Sequence, residues 1–242
     1  MKHMNSLFAK VCLVILGTLA VSLPALATTN EESMQVLKLK ELVLPVYPDS
    51  AKQDGYTTGI VTAVIAHDAD GQPTDVMIVD STHQRFTESV REAVQHWKFN
   101  PVAVGAQQAP LVRFYFISKG VVLMQAPGMR SPMTGMGFVS SSVSFPTFGS
   151  LDAAPKVIDQ PMPVFPESLR GHIAGGSATV SFYVDETGHA RAASVTEATS
   201  PEFAEAAKAA VEQWRYEAPK QNGRAVIAVE NWNFRFSGPS GS

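Results

Sequence analysis

AVQHWKFNP, residues 93–101, closes a run that begins FTESVRE; further along, the chain writes FAEAAKAAVEQWRYEAP, residues 203–219. Phe86, Val90, Ala93, Val94 and Trp97 recur at spacings of three and four, as do Phe203, Ala207, Ala210, Val211 and Trp214. That period places them along one side of a helix. Each run therefore predicts a helix with one apolar stripe, and Trp97 and Trp214, lying on the stripes, are expected to pack in a core rather than to dock a partner. Truncating either to alanine should then cost about 3–5 kcal/mol. In the second run Ser200 or Thr199 is placed to cap the helix, Pro201 suits its first turn and Glu202 adds favourable charge there. Pro101 and Pro219 follow as stops.

The echo extends in both directions. An offset of 117 lays Phe86, Ala93 and Trp97 over Phe203, Ala210 and Trp214, Lys98-Phe99 over Arg215-Tyr216, and DADG at 68–71 over DETG at 185–188. An offset of 118 lays LPVYP (44–48) over MPVFP (162–166), and one of 120 lays FYF (114–116) over FRF (234–236). Drift of this size is what small loop insertions produce, so the chain reads as a duplicated unit of about 80 residues. Within each unit, strands over 60–67 and 74–80, or 178–184 and 190–197, flank the four-residue polar turn, which makes the pair an antiparallel hairpin. In the second copy Ala178, Val180, Phe182 and Val184 alternate with Thr179, Ser181 and Tyr183, so one face is buried and one is wetter. A third strand follows the helix, over 111–118 or 225–236; Glu230 interrupts the alternation of the latter, so a bulge is expected near it.

Outside the repeats, residues 1–27 have the layout of an export signal. Lys2 and Lys10 precede an apolar run over 11–23, and Pro24 leads to Ala25-Leu26-Ala27, with cleavage expected before Thr28. The run is shorter than the roughly 20 residues of a spanning helix; the alternative is a retained anchor over 11–27. The one cysteine, Cys12, lies inside this segment, so the exported chain has no disulfide and must be held by its cores. Of 19 basic residues, Lys2 and Lys10 leave with the signal, against 22 acidic ones, a net charge near −5 without any block of like charge. Nucleic acid and an acidic membrane surface are thereby disfavoured as partners. The expected layout is a signal over 1–27, one domain over 36–119, a Gly/Pro/Met/Ser-rich connector over 120–150, a second domain over 151–237 and a tail over 238–242.

Candidate chemistry is sparse. Met124, Met129, Met133 and Met136 raise a thioether copper site, for which gap-filling methionine is the plainer account. DADG with Asp75 beyond it is too short a carboxylate series for calcium, and a turn explains it. His67 stands where the other copy has Val184, His96 lies on the polar side of its helix, and His83, His172 and His189 fall in turns and loops, with no HxxxH or HExxH pair for zinc. There is no GxSxG elbow, P-loop or dinucleotide fingerprint. A non-catalytic protein without cofactor or resident metal is expected.

The ordered set of P-x-[YF]-P, a Gly before the first strand, an Asp-x-x-Gly turn, a Phe-led helix ending in Trp-[KR]-[FY], a nearby Pro and a Phe-rich last strand resembles the C-terminal domain of the TonB family of energy transducers, twice over. The resemblance implies an α+β fold, two tandem domains each with a three-stranded antiparallel sheet and one main helix on its face, in the bacterial periplasm. It also implies partners: family members add an extended segment of an outer-membrane receptor to a sheet edge beside the last strand. Carried onto this chain, the contacts would be Leu111, Val112, Arg113, Phe114, Tyr115 and Phe116 in the first copy and Val229, Asn231, Asn233 and Arg235 in the second, flanked by Gln160, Pro163 and Phe165. A transducing member also keeps an inner-membrane helix and a long Pro-rich spacer, whereas here the apolar segment looks cleavable and residues 28–40 contain no proline. Three readings follow: a periplasmic protein binding envelope proteins such as TonB-dependent receptors, an anchored transducer, and a structural tandem domain that self-associates through its sheet edges.

Overall fold

The computed structural model describes residues 37–103, 105, 109–118, 121–125 and 143–238; the expected signal and most of the connector lie outside these. The first copy runs β1 (Leu39–Glu41), α1 (Asp49–Gln53), β2 (Thr58–His67), β3 (Pro73–Ser81), α2 (Gln84–Val94), β4 (Lys98–Phe99), β5 (Leu111–Ile117) and β6 (Val121–Gln125). The second runs β7 (Val157–Asp159), β8 (Gly175–Val184), β9 (Ala190–Ala198), α3 (Pro201–Val211), β10 (Arg215–Tyr216), β11 (Lys220–Gln221), β12 (Arg224–Ala225) and β13 (Ala228–Ser237). Two tandem α+β units are thus present, each with its main helix against an antiparallel sheet. Their sheet orders are β3-β2-β5-β6 and β13-β8-β9.

The duplication is repeated atom group by atom group. Trp97 and Trp214 are both buried, and each indole donates from Nε1 to a carbonyl of the segment leading into its copy, Val43 at 2.7 Å and Pro161 at 2.9 Å. Tyr47 meets Phe86 edge-on at 5.4 Å, and Phe165 meets Phe203 likewise at 5.4 Å. Thr82 ties Ile60, and Thr199 ties Ser177, through paired bonds to backbone N–H and carbonyl. Gly71 and Gly188 adopt φ of 87° and 88°, where any Cβ would also strike the carbonyl of Phe99 or Tyr216. Ser200 caps α3 by accepting from the Phe203 N–H, as expected, while His83 takes that place on α2.

Two expectations are corrected. The first sheet has four strands, because Val121–Gln125, assigned to the connector, pairs antiparallel with β5. Five apolar and amide residues without alternation carry no strand period, which hid it. Met124 is buried in the first core, in keeping with the gap-filling account, while Met129, Met133 and Met136 lie outside the described residues. No bulge occurs near Glu230, since β13 pairs with β8 without a break from Ala228 to Ser237. On β9, by contrast, the register against β8 shifts twice, at Thr196 and again where Ala192 and Ala193 together face Phe182 and Ala192 takes φ 49°.

That bulge serves the contact between copies. It turns the Ala192 N–H toward Asp75 of the first copy at 2.9 Å, beside a bidentate pair in which Arg191 Nε and a terminal guanidinium nitrogen reach Asp75 at 2.9 and 2.6 Å. Around it Val64, Ala66 and Met77 of the first copy pack with Ala192 and Ile227 of the second. Asp75, weighed above as a calcium ligand, is an interdomain acceptor. This covering explains why residues 61–67 of β2 are buried on both faces, whereas β8 keeps the alternation expected of it. Burial alone would raise the Asp75 pKa, but the Arg191 bonds and the Ala192 N–H outweigh it and hold the carboxyl below its usual range. His67 is buried, stacked on Phe99 at 4.3 Å, and burial pushes its pKa down despite the Asp68 carbonyl 2.8 Å from Nδ1.

Three outcomes follow from this packing. Trp214→Phe keeps the ring but strands the Pro161 carbonyl, and should cost about 1–3 kcal/mol in urea unfolding; an unchanged midpoint would contradict the anchoring role. Asp75→Asn should cost about 1–3 kcal/mol and split unfolding into two steps. In the wild type the Asp75 contribution is present above the unfolded carboxylate value and lost only as pH falls below about 4. For His67 the unfolded chain binds the proton more readily, so its contribution is full above about pH 6.5 and is lost as pH falls from there. His67→Val, the residue of the other copy, should flatten the decline in stability between pH 7 and 5.

Candidate partner-binding edge

The residues expected to meet a partner fall into two unlike settings. Leu111, Val112, Arg113, Phe114, Tyr115 and Phe116 lie on β5, which is interior: β2 pairs with one side of it and β6 with the other, from Arg113↔Gln125 to Ile117↔Val121. Strand parity directs the N–H groups of Arg113, Tyr115 and Ile117 toward β6, so the outer edge expected to receive a segment is taken by the chain itself. Val112, Phe114 and Phe116 are core residues, Tyr115 is buried, and Arg113 donates to Thr62 Oγ1 at 3.2 Å. Leu111 packs at the contact between the copies. As a receiving edge, β5 is therefore corrected to a closed strand.

On β13 the arrangement is open. Even-numbered residues from Ala228 to Phe236 face β8 through their backbone, and the odd-numbered ones face outward. The chain uses the first outward position, where the Val229 N–H donates to the Pro146 carbonyl at 2.9 Å beside a bridge from Thr147. Glu230 folds its carboxylate back to accept from the Asn231 N–H at 2.9 Å. Beyond it, among the described residues no group pairs with the outward N–H of Asn233 or Arg235. Their side chains stand on the solvent face, with Asn233 donating from Nδ2 to Thr179 Oγ1 at 2.8 Å.

The other face of this edge is apolar. Ala228, Phe234 and Phe236 are buried, and Phe236 stacks on Phe203 at 4.4 Å. Glu230, of the same parity, is half-buried near Tyr216, whose hydroxyl is pushed well above its ordinary pKa by burial and by this carboxylate. Trp232 shares the face yet remains 40% exposed, standing edge-on against Trp214 at 5.4 Å. The indole of Trp214 in turn holds Pro161, so the lead-in segment passes close beneath the edge. Of its expected contacts, Gln160 donates to the Tyr216 hydroxyl at 3.4 Å, Phe165 packs on Phe203 as a half-buried strut, and Pro163 is half-buried between the exposed Met162 and Val164. These three thus border the site, and the first two also build it.

Trp232 was not among the expected contacts. The duplication could have flagged it: an offset of 120 sets it over Val112, and a large aromatic replacing a core valine on a last strand needs a further covering. Among the described residues no cluster of three His, Cys, Asp or Glu side chains could hold a metal ion, and no helix is long and apolar enough to cross a membrane.

The family described as "Gram-negative bacterial TonB protein C-terminal" matches twice, over residues 43–117 and 161–237. A solution NMR structure of the TonB C-terminal domain of Pseudomonas aeruginosa is similar at 23% identity with a TM-score of 0.34, covering 38% of this chain and 93% of that one. No curated protein matches the sequence. The two family matches coincide with the two structural copies and together take in well over half the chain, which belongs to the TonB C-terminal domain family as a tandem pair.

Proposed function

We propose that the protein is a non-catalytic, periplasmic binding protein that captures an extended segment of an envelope protein, such as a TonB-dependent outer-membrane receptor, by strand addition along the outer edge of β13. The observation that carries this is the open edge itself, where among the described residues the outward N–H groups of Asn233 and Arg235 are unpaired and Trp232 is left 40% exposed on the core face. Main-chain hydrogen bonds along such an edge supply affinity, and the alternate side chains of the incoming segment supply selectivity. One of its faces would lie over Trp232, and the other would meet Asn231, Asn233 and Arg235.

An exposed edge of this length is also a pairing hazard, and among the described residues the edge is managed only at its start, by Pro146 and Glu230. That pattern suits an edge kept available. The export reading of residues 1–27 supports a periplasmic setting, where envelope segments are reachable. A photo-crosslinking side chain at Asn233 in living cells should capture envelope proteins, whereas the same group at Arg113, on the closed strand, should not. Equal capture from both positions, or none from Asn233, would count against the assignment.

A further inference from the structure

The two copies differ at one place that bears on what the open edge accepts. In the first copy β6 lies along the outer side of β5 with Met124 opposite Phe114. Met124 is fully buried and belongs to the same core as Trp97 and Phe114. The offset of 120 carries Phe114 onto Phe234 and Val112 onto Trp232. Val112 is completely covered, but Trp232 keeps 40% exposure. The chain fills this place for itself in the first copy, and among the described residues nothing fills it in the second.

Resting on the strand-addition reading above, we infer that the β13 edge selects an extended segment that sets a large, flexible apolar side chain opposite Phe234, the place Met124 fills in the first copy. Backbone pairing alone discriminates little between sequences, because every non-proline residue offers the same N–H and carbonyl. The core-face position is different. A side chain there is covered by Phe234 and by the indoles of Trp232 and Trp214, so an apolar one is driven in while a charged one must be desolvated without a partner. A thioether chain with three rotatable bonds adapts to such an irregular space. Its neighbours on the segment fall on the opposite face, toward Asn233 and Arg235, and are polar by the period of two. In the first copy the matching edge, that of β5, is occupied by the chain's own β6.

The test grafts the built-in occupant of the first copy onto the second. In the full chain, residues 238–242 are replaced by residues 118–125, SKGVVLMQ, so that this segment can fold back on β13 as β6 does on β5. Hydrogen exchange at the Asn233 and Arg235 amides should slow by more than tenfold, and tryptophan emission should shift to the blue as Trp232 is covered. The same extension carrying Met124→Asp should show neither change. Equal protection with Met and Asp, or none with either, would overturn the side-chain rule. Crosslinking of envelope proteins from Asn233 in the unextended protein tests strand addition separately. If those crosslinks persist while the graft fails, only this inference falls; if both are absent, the reading beneath it falls too.

Discussion

The hydrogen bond from a tryptophan indole to the backbone of a distant lead-in segment is the constraint on which each copy depends. Trp97 and Trp214 sit just after the last turn of their helices, beneath the sheet, and each holds a carbonyl more than fifty residues earlier in the chain. One side chain thereby fixes helix, sheet and lead-in segment relative to one another. The aromatic contacts then fall into matched positions, Trp97 on Phe114 at 5.8 Å and Trp214 on Phe234 at 5.6 Å. A unit of this size has a small core, and a buried donor satisfied by a buried acceptor adds direction to what apolar packing alone leaves loose.

From this shared frame the copies have diverged in what surrounds their sheets. The first has been closed twice, by β6 along one edge and by the second copy across one face. The second keeps β13 as an edge. The bulge at Ala192 and the Asp75–Arg191 pair join the two, so that the closed first copy packs against the copy in which β13 is an edge strand. Placing a non-glycine residue at φ 49° costs about 1–2 kcal/mol, which the added bond to Asp75 and the surrounding apolar contact offset.

Much of this was legible in the sequence. The helical stripes, the hairpins around DADG and DETG, the cap at Ser200 and the repeat itself rest on local periods and turn chemistry, and the structure keeps them. What escaped depends on partners far away in the chain. Asp75 and Arg191 look like ordinary exposed charges until 116 residues of chain bring them together. The Ala192 bulge has no glycine to announce it. The strand at Val121–Gln125 lies in a stretch whose composition reads as a connector, and missing it led to the expectation that β5 and β13 are equivalent edges, whereas β5 is interior. On β13, parity separated Asn231, Asn233 and Arg235 from the core face, but the incomplete cover of Trp232 shows only when its exposure is set against that of Val112.

The closed and open edges make the same prediction in two places at once. Arg113 and Tyr115 occupy the positions in the first copy that Asn233 and Arg235 occupy in the second, and only the former pair faces a neighbouring strand. Amide hydrogen exchange on the intact protein reads this difference directly. The amides of Arg113 and Tyr115 should exchange slowly, and those of Asn233 and Arg235 at rates near those of an unprotected chain. Equal protection of the two pairs would contradict the account.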